Sequence, residues 1–342
     1  MSCSQLYIVW APFQRRAISM QPYCEFELEF IDISLPKRYL KPFEYCLKTW
    51  KTLSLLFSFK PAVIWVQLPP TFLLHILFVY KYLFNRNCLI VADCHNATFR
   101  KPWVKVPGFR LLLERCDFVF VHNSTVEQQI QQLFKLSNAQ LHTLEDPPAA
   151  IKCDSKDSAS IPFSRPWFIC PSSFNKDEPV AAILSAASLA PQLTFVLTGN
   201  KQRAMANHDI SALPKNVKLP GFLPTEEFNQ LLCEADAIMG LTLLDGIQLS
   251  VANEAVGANQ PLVLANTNTL RKLFYKGAVY IDANDAHSIA SGCLEAVARN
   301  KQLREEIAEL RRERQAMWLK QFQLVKEPLE IMLKRRQRHF EL

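Results

Sequence analysis

Short apolar runs alternate with helix-like segments along most of this chain, and that alternation leaves few folds open. Residues 62–66 (AVIWV) and 117–121 (DFVFV) are almost continuously apolar, which is typical of parallel strands covered by helices on both faces. In the first half we predict strands at 5–10, 25–31, 63–67, 88–92 and 117–122. This half is therefore expected to form an α/β domain.

Polar residues follow several of these strands directly. Gln67 ends one run, Asp93 and His95 end the next, and His122 follows another. Ligands of open α/β sheets bind at the carboxyl ends of the strands, so these residues predict a ligand-binding edge. For His122, Asn123 and Ser124 we favour a simpler interpretation, the cap of the next helix.

The same alternation restarts after a polar stretch at 145–158, which we interpret as a linker. Further strands are predicted at 167–170, 193–198, 217–223, 236–241, 261–264 and 278–281, and charged helix from about residue 285. A length of 342 residues allows two domains. We predict two similar α/β domains, 1–152 and 153–300, facing each other across a cleft, and a helical segment at 301–342 that packs back on the first domain.

The ten cysteines are scattered without metal-binding spacing. We predict that they are reduced, small and buried apolar side chains, and that they form neither a disulfide framework nor a zinc site. No secretory leader and no membrane-spanning run is expected, because the longest apolar stretch, at 72–80, ends at a lysine.

The net charge of +7 is unevenly distributed. Residues 1–152 carry +6 and residues 153–300 carry −3, so an anionic partner of the first half is expected. The apolar helical segments near 47–59 and 71–84, with Lys48, Lys51, Lys60 and Lys81, are candidates to rest on an anionic membrane surface. A nucleic-acid partner is not expected, since the basic residues lack interleaved aromatic motifs.

The second half resembles the donor-binding domain of GT-B glycosyltransferases, in particular the family-4-like group of bacterial polysaccharide clusters. The resemblance covers about residues 10–300. It is carried by the order of 198–200 (TGN), 217–224 (VKLPGFLP), 235–237 (ADA) and 253–263 (NEAVGANQPLV), and in the first half by 15–16 (RR), 67–70 (QLPP), 93–96 (DCHN) and 146–148 (DPP).

This resemblance implies that Glu254 holds the ribose hydroxyls of a sugar nucleotide, a role that suits a carboxylate because it accepts two hydrogen bonds. Taken alone, Glu254 could equally be a solvent-facing residue of an ordinary helix. The first glutamate of the family motif is absent, since Gly246 stands at its position and Asp245 one residue earlier. The predicted donor-binding set is Glu254, Asp245, Gly246, Gln248, Ser250, Asn253, Ser172, Ser173, Lys176, Gly199, Asn200, Gly221 and Leu223.

The resemblance also implies transfer of a sugar from a nucleotide-sugar donor to a hydroxyl of a glycan or polyprenyl-diphosphate-linked acceptor, in polysaccharide or glycoconjugate biosynthesis. Asp93 and His95 are the candidate catalytic residues. Arg15, Arg16, Gln67 and Asn96 are the candidate acceptor contacts. No cofactor or metal is expected, because no DxD sequence occurs, and a cytoplasmic protein, peripheral on the inner face of the cell membrane, is predicted.

Two alternatives stay open from the sequence. One is a sugar-nucleotide epimerase with the GT-B fold, which would need no acceptor. The other is a non-catalytic scaffold subunit that retains the fold, favoured by the missing first glutamate and by a loop at 172–178 with Lys176 as its single basic residue. Walker, HExxH, GxSxG and GxGxxG motifs are absent, which argues against the enzyme classes that they mark.

Overall fold

The computed structural model describes residues 4–138, 140–153 and 163–338. The chain divides into two compact units, Met1–Pro147 with Met317–Leu342 as unit 1, and Pro148–Ala316 as unit 2. The division at 147/148 lies five residues before the boundary expected from the sequence. The second part of the predicted linker, from residue 154, lies outside the described residues.

Unit 1 is built on a six-stranded sheet with the order β2-β1-β3-β4-β5-β6, and every pairing is parallel. Its elements are β1 (Gln5–Val9), α1 (Arg15–Cys24), β2 (Glu27–Phe30), α2 (Lys41–Phe59), β3 (Val63–Leu68), α3 (Leu73–Leu83), β4 (Leu89–Cys94), α4 (Phe109–Leu113), β5 (Phe118–Val121), α5 (Ser124–Leu133) and β6 (Leu141–Thr143), with 3₁₀ turns at Arg38–Leu40, Asn96–Phe99 and Trp103–Lys105. The strand order reverses between β1 and β3, which marks the switch point where such sheets bind ligands.

Unit 2 has a second parallel sheet of six strands, in the order β12-β11-β10-β7-β8-β9. Its elements are β7 (Trp167–Pro171), α6 (Val180–Leu189), β8 (Thr194–Thr198), α7 (Lys201–Asn207), β9 (Val217–Gly221), α8 (Thr225–Glu234), β10 (Ala237–Gly240), α9 (Ser250–Ala258), β11 (Leu262–Ala265), α10 (Asn268–Leu273), β12 (Ala278–Ile281) and α11 (Ala286–Ala298). This is the Rossmann strand order, and its switch point lies between β7 and β10.

Each sheet is buried on both faces, as the continuous apolar runs predicted. In unit 1, one apolar cluster contains Ile64 and Leu77, and a second cluster on the other face contains Trp65 and Phe120. The long helix α12 (Asn300–Arg338) completes this second cluster, because its later residues pack there: Trp318, Phe322, Val325, Leu329 and Leu333. Its earlier residues Leu303, Ile307 and Leu310 belong to the core of unit 2.

The prediction of reduced, buried cysteines is wrong for one pair and for Cys46. Cys153 and Cys233 form a disulfide between residues 80 positions apart, with a Cα–Cα distance of 5.6 Å. Spacing alone could not show this pair, since only the fold brings α8 beside the segment that enters unit 2. Of the seven described free cysteines six are buried, as expected of small apolar side chains, and Cys46 is exposed.

No helix among the described residues is long and apolar enough to cross a membrane.

Candidate functional site

The carboxyl edge of the unit 1 sheet carries a buried charged network centred on Asp93. Asp93 lies near the end of β4 and is fully buried. Tyr7 donates its hydroxyl to Asp93 Oδ2 at 2.5 Å, and Arg16 Nε donates to the two carboxylate oxygens at 3.0 and 3.2 Å. Both oxygens are thus engaged from within the unit. The carboxylate of Asp93, a predicted catalytic residue, is therefore held in place by Tyr7 and Arg16.

Arg16 is also fully committed inside unit 1. Its Nη1 donates to Glu145 O at 2.8 Å and to Asp146 Oδ1 at 2.6 Å, and its Nη2 donates to Leu144 O at 2.9 Å. Its side chain is 2% exposed. The guanidinium therefore ties α1 to the segment after β6, and this argues against the predicted contact between Arg16 and an acceptor.

The ionisation states follow from these contacts. Burial alone would raise the pKa of Asp93, but the adjacent Arg16 outweighs it and holds the pKa well below its usual range. Burial, reinforced by the charge of Asp93, raises the pKa of Tyr7 well above its usual value. For Asp146, Arg16 likewise overcomes burial and lowers the pKa. At neutral pH the network therefore contains two ionised carboxylates, those of Asp93 and Asp146, and both are paired with the Arg16 guanidinium.

Two histidines complete this edge. The rings of His95 and His122 meet edge-to-face with centroids 4.3 Å apart. His122 Nε2 lies 3.4 Å from Asp93 Oδ1, and His95 Nε2 lies 3.2 Å from Gln14 Nε2. Burial first, and then His122, lower the pKa of His95 to about 3. His95 is therefore neutral at physiological pH, and its side chain is half-buried, in contrast to Asp93.

Asp93, His95 and His122 each offer one potential metal-ligand atom. These three atoms lie within 4.8 Å of one another, close enough to share a metal ion. The Arg16 cation against the same carboxylate disfavours a divalent cation there, because the two positive charges would compete for one anion.

The predicted acceptor contacts lie around this network. Gln67 is in register with Asp93 across β3 and β4, and its Oε1 is inaccessible without a hydrogen-bond partner among the described residues. Asn96 begins the 3₁₀ turn that follows β4. Arg15 is 8% exposed, and its guanidinium lies 4.9 Å from the ring centroid of Phe13. The structure thus places Gln67, Asn96 and Arg15 near one sheet edge.

Tyr7, Gln14 and the position of His122 beside Asp93 were not predicted from the sequence. Tyr7 gave no signal, because it lies in the middle of an apolar strand. Of the group interpreted as a helix cap, Asn123 does cap α5, since its side chain accepts from Val126 N at 2.9 Å, whereas His122 faces Asp93 instead.

In unit 2, the loop after β7 is closed by an internal carboxylate. Glu178 accepts hydrogen bonds from Ser173 N at 3.1 Å, from Phe174 N at 3.0 Å, and from Ser172 Oγ. The predicted donor contacts Ser172 and Ser173 therefore hold the loop together. Lys176 is exposed and lines a cavity of about 500 Å³ whose lining includes no other predicted donor contact.

At Gly199 the backbone that follows β8 lies in close contact with the ends of β7 and β9. Gly199 has φ +137°, and a Cβ there would lie 2.1 Å from Ser172 O, so only glycine fits. Gly199 N donates to Gly221 O at 2.9 Å. Asn200 caps α7 by accepting from Arg203 N at 3.1 Å, and Leu223 packs against the core of unit 2.

The loop between β10 and α9 holds the next predicted residues. Asp245 Oδ1 accepts from Thr269 Oγ1 at 2.8 Å and from Gly246 N at 2.7 Å, and these bonds, the Gly246 amide foremost, lower the pKa of Asp245. Asp245 thus ties the loop to α10. Both polar atoms of Gln248 are inaccessible and lack a hydrogen-bond partner among the described residues, which is unusual for a native buried amide.

Helix α9 carries Glu254 on a buried face. Glu254 is 6% exposed, so the alternative of a solvent-facing glutamate is wrong. Its neighbour Asn253 accepts from Arg314 Nη2 at 3.2 Å, and this contact argues for a structural role of the Asn253 side chain. Ser250 begins the helix and is exposed, and the capping residue Leu249 makes no side-chain hydrogen bond to it.

The comparisons with known proteins bear on the whole chain. No protein-family profile and no curated protein matches it. Among solved structures, sucrose-phosphate synthase from Thermosynechococcus elongatus is 14% identical with a TM-score of 0.70, covering 99% of this chain and 100% of its own. Anabaena HepE in complex with UDP-glucose is 13% identical with a TM-score of 0.67, covering 96% of this chain and 99% of its own. The chain has the GT-B fold.

A third GT-B relative by structure is a Listeria monocytogenes protein described as a UDP-N-acetylglucosamine 2-epimerase, 12% identical with a TM-score of 0.60, covering 90% of this chain and 91% of its own. These matches confirm the predicted fold class and the resemblance to GT-B proteins at the level of the fold.

Proposed function

We propose that this chain is a glycosyltransferase that moves a sugar from a nucleotide-sugar donor to an acceptor hydroxyl without a metal ion. The observation that carries the proposal is the match, along both units, to HepE solved with UDP-glucose. Each unit carries polar residues at the carboxyl edge of its own sheet, and we assign one substrate to each edge.

We place the donor at the carboxyl edge of the unit 2 sheet, against α9. Glu254 is a buried carboxylate on the helix that follows β10, beside the switch point, and would accept two hydroxyl hydrogen bonds from the ribose. Gln248 would obtain its missing partners from the donor. The loop from Gly246, whose own amide is held by Asp245, leads into α9, and the first turn of this helix at Ser250 would offer backbone N–H groups to the diphosphate.

The remaining predicted donor residues divide into two groups. Gly221 and Leu223 end β9 and begin the following loop, where backbone groups would border the base, and exposed Lys176 would reach a phosphate. The other predicted residues form hydrogen bonds within unit 2 and would support the donor-binding edge without contacting the donor through those groups. They are Ser172, Ser173, Gly199, Asn200, Asp245 and Asn253.

In unit 1, we assign His95 to the chemistry and Asp93 to positioning. A neutral imidazole at a sheet edge can accept a hydrogen bond from the attacking hydroxyl and orient it. Asp93 would act through His122, whose Nε2 lies 3.4 Å from Asp93 Oδ1. Arg15, Gln67 and Asn96 would bind the acceptor. The helix dipole of α9 would stabilise the departing diphosphate, the electrostatic contribution that usually dominates such reactions.

For the acceptor we propose a hydroxyl of a glycan or of a polyprenyl-diphosphate-linked saccharide, in polysaccharide or glycoconjugate biosynthesis on the cytoplasmic side of a membrane. Support comes from the basic first half of the chain, with net charge +6 over residues 1–152, which suits a diphosphate-bearing acceptor.

One observation favours a second candidate, a sugar-nucleotide epimerase, namely the structural match to the Listeria protein described as such an enzyme. The two candidates differ in their need for an acceptor, because an epimerase converts its nucleotide sugar alone.

The test is thermal unfolding of the purified chain against UDP, GDP, CDP, ADP, dTDP and their common sugars. A ligand that binds only the folded state raises the unfolding temperature with concentration. We expect one base to give a selective shift that is lost in Glu254→Gln and kept in Glu305→Gln, an exposed glutamate of unit 2. Absence of any shift at millimolar nucleotide would contradict both enzymes and favour a scaffold. Release of free nucleotide on adding acceptor extracts separates transfer from epimerisation.

A further inference from the structure

Helix α2 presents a row of aromatic side chains to solvent. Phe43 is 59% exposed, Trp50 is 70% exposed and Phe57 is 44% exposed. They are seven residues apart, which brings them onto one face, since seven helical residues turn through almost two full turns. The opposite face is buried and contains Glu44, Lys48, Thr52 and Leu56. The aromatic row is therefore turned away from the core of unit 1.

The carboxyl end of α3 extends this apolar face. Tyr82, Leu83 and Phe84 are 48%, 69% and 61% exposed. The rings of Phe57 and Phe84 meet edge-to-face with centroids 4.8 Å apart, so the two helices form one continuous patch. We call Phe43, Trp50, Phe57, Tyr82, Leu83 and Phe84 the α2–α3 surface. Contiguous exposed patches of this kind mark interaction sites, unlike single exposed apolar residues.

The charge around the α2–α3 surface has one sign. Residues 37–92 contain eight lysines and arginines and one acid, Glu44. Glu44 is buried and paired with Lys41 and Lys48 at 2.8 and 3.2 Å. Lys51 and Lys60 are exposed. The region therefore offers only positive charge to a partner.

Two of the four lysines that the sequence analysis assigned to a membrane do not face solvent. Lys48 is paired with buried Glu44, and Lys81 is paired with Asp117 at 2.8 Å and is 8% exposed. The exposed basic residues of the region include Lys51 and Lys60, and also Lys37, Lys41 and Arg86.

We propose that the α2–α3 surface binds the interface of an anionic phospholipid bilayer. Aromatic side chains favour the headgroup region, and lysines beside them are attracted to anionic lipids. A protein partner would be expected to meet a surface of mixed charge, whereas this one is uniformly basic. No described helix could span a bilayer, so the attachment would be interfacial.

The position of α2 relates this attachment to the candidate active edge. Since α2 connects two parallel strands, its first turn lies at the carboxyl ends of the strands, where Asp93 and His95 lie. Tyr45 of α2 stacks on Trp10, which follows β1, with centroids 6.2 Å apart. A bilayer against α2 would thus present lipid-linked acceptors near His95. This consequence rests on the proposed function, whereas the binding itself does not.

The first test is co-sedimentation of the full chain, without donor, with vesicles of phosphatidylcholine alone or with 30% phosphatidylglycerol. We expect binding that requires phosphatidylglycerol and weakens in 0.5 M NaCl. Trp50→Ser/Phe57→Ser should lower the partition coefficient at least about tenfold. The matched control is Leu324→Ser/Ile331→Ser, which removes exposed apolar side chains of α12 in the same unit and should leave binding unchanged.

The second test asks which face enters the lipid. Trp65, Trp167 and Trp318 are at most 1% exposed, whereas Trp50 is 70% exposed. Trp10 and Trp103 are half-buried. Brominated lipids should therefore quench Trp50 more strongly than the other five tryptophans, and Trp50→Phe should remove most of the quenching while retaining binding. Unchanged unfolding temperatures establish that the variants are folded. Equal binding of the α2 variant and the wild type, no binding to anionic vesicles, or self-association lost in the α2 variant would overturn the proposal.

Discussion

Removing the Arg16 side chain beyond its aliphatic part, as Arg16→Met, should destabilise unit 1 strongly. Arg16 is buried and makes charge-assisted bonds to Asp93 and Asp146, together with bonds to two backbone carbonyls. Breaking one partner of a buried ion pair costs about 3–5 kcal/mol, because the other charge stays buried without compensation. For a unit of this size the unfolding temperature should fall by about 10 °C.

The measurement is urea unfolding followed by tryptophan fluorescence in a Trp167→Phe background. Trp167 is the single tryptophan of unit 2, so the remaining signal reports unit 1. Arg110→Met is the matched control, since Arg110 forms an exposed pair with Glu114, and such pairs contribute at most about 1 kcal/mol.

The pH dependence follows from Asp93. In the wild type its pKa is depressed, so its contribution to stability is present above the unfolded pKa near ~3.9 and is lost as pH falls through the folded pKa. Without Arg16, burial would raise the pKa instead, and stability would be lost as pH rises. The difference in the free energy of unfolding between the wild type and Arg16→Met should therefore become smaller as pH falls from 7.5 to 4.5.

A double-mutant cycle decides the interpretation. Arg16→Met/Asp93→Asn should be less destabilised than the sum of the two single variants, because no uncompensated carboxylate remains at position 93. A loss below about 1 kcal/mol for Arg16→Met, or strictly additive losses in the cycle, would show that the Arg16–Asp93 pair does not hold unit 1 together.

Three further predictions concern stability. The folded pKa of His95 is near 3, so the unfolded state binds a proton more readily than the folded state. The free energy of unfolding of unit 1 should therefore fall by about 2 kcal/mol as pH falls from 7 to 5. Urea unfolding of His95→Gln should show a weaker dependence of this free energy on pH. Gly199→Ala should abolish folding of unit 2 or cost several kcal/mol, whereas Gly246→Ala, with no atom within 4 Å of the new Cβ, should cost about 1 kcal/mol by calorimetry. Cys153→Ser should lower the free energy of unfolding by about 2–4 kcal/mol. Reductant should lower the free energy of unfolding of the wild type by the same amount and should not change that of the variant.

The strands were predictable because burial on both faces leaves a continuous apolar signature, as at 62–66 and 117–121. The strand β6 was not, since Leu141–Thr143 is three residues long with two polar members. Residue composition carries little information at that length.

The partners of the candidate site were much less predictable than its positions. Asp93 was identified from its place after a strand, but Tyr7 binds it from 86 residues away and looks like an ordinary strand residue. The disulfide spans 80 residues for the same reason. Glu254 was placed on the correct helix, yet its burial depends on the packing of α9 against α8 and β10, which local sequence does not encode.

In the loop after β7, the carboxylate of Glu178 occupies the backbone amides of Ser173 and Phe174, which could otherwise bind an external anion. A phosphate that sought the amides of Ser173 and Phe174 would have to displace a tethered competitor, whose effective concentration is on the order of millimolar or higher. Free phosphate and simple nucleotides at micromolar concentration are thereby excluded from these amides. Discrimination among anionic ligands in unit 2 would accordingly depend on groups elsewhere along the sheet edge, with Gln248 and the start of α9 foremost.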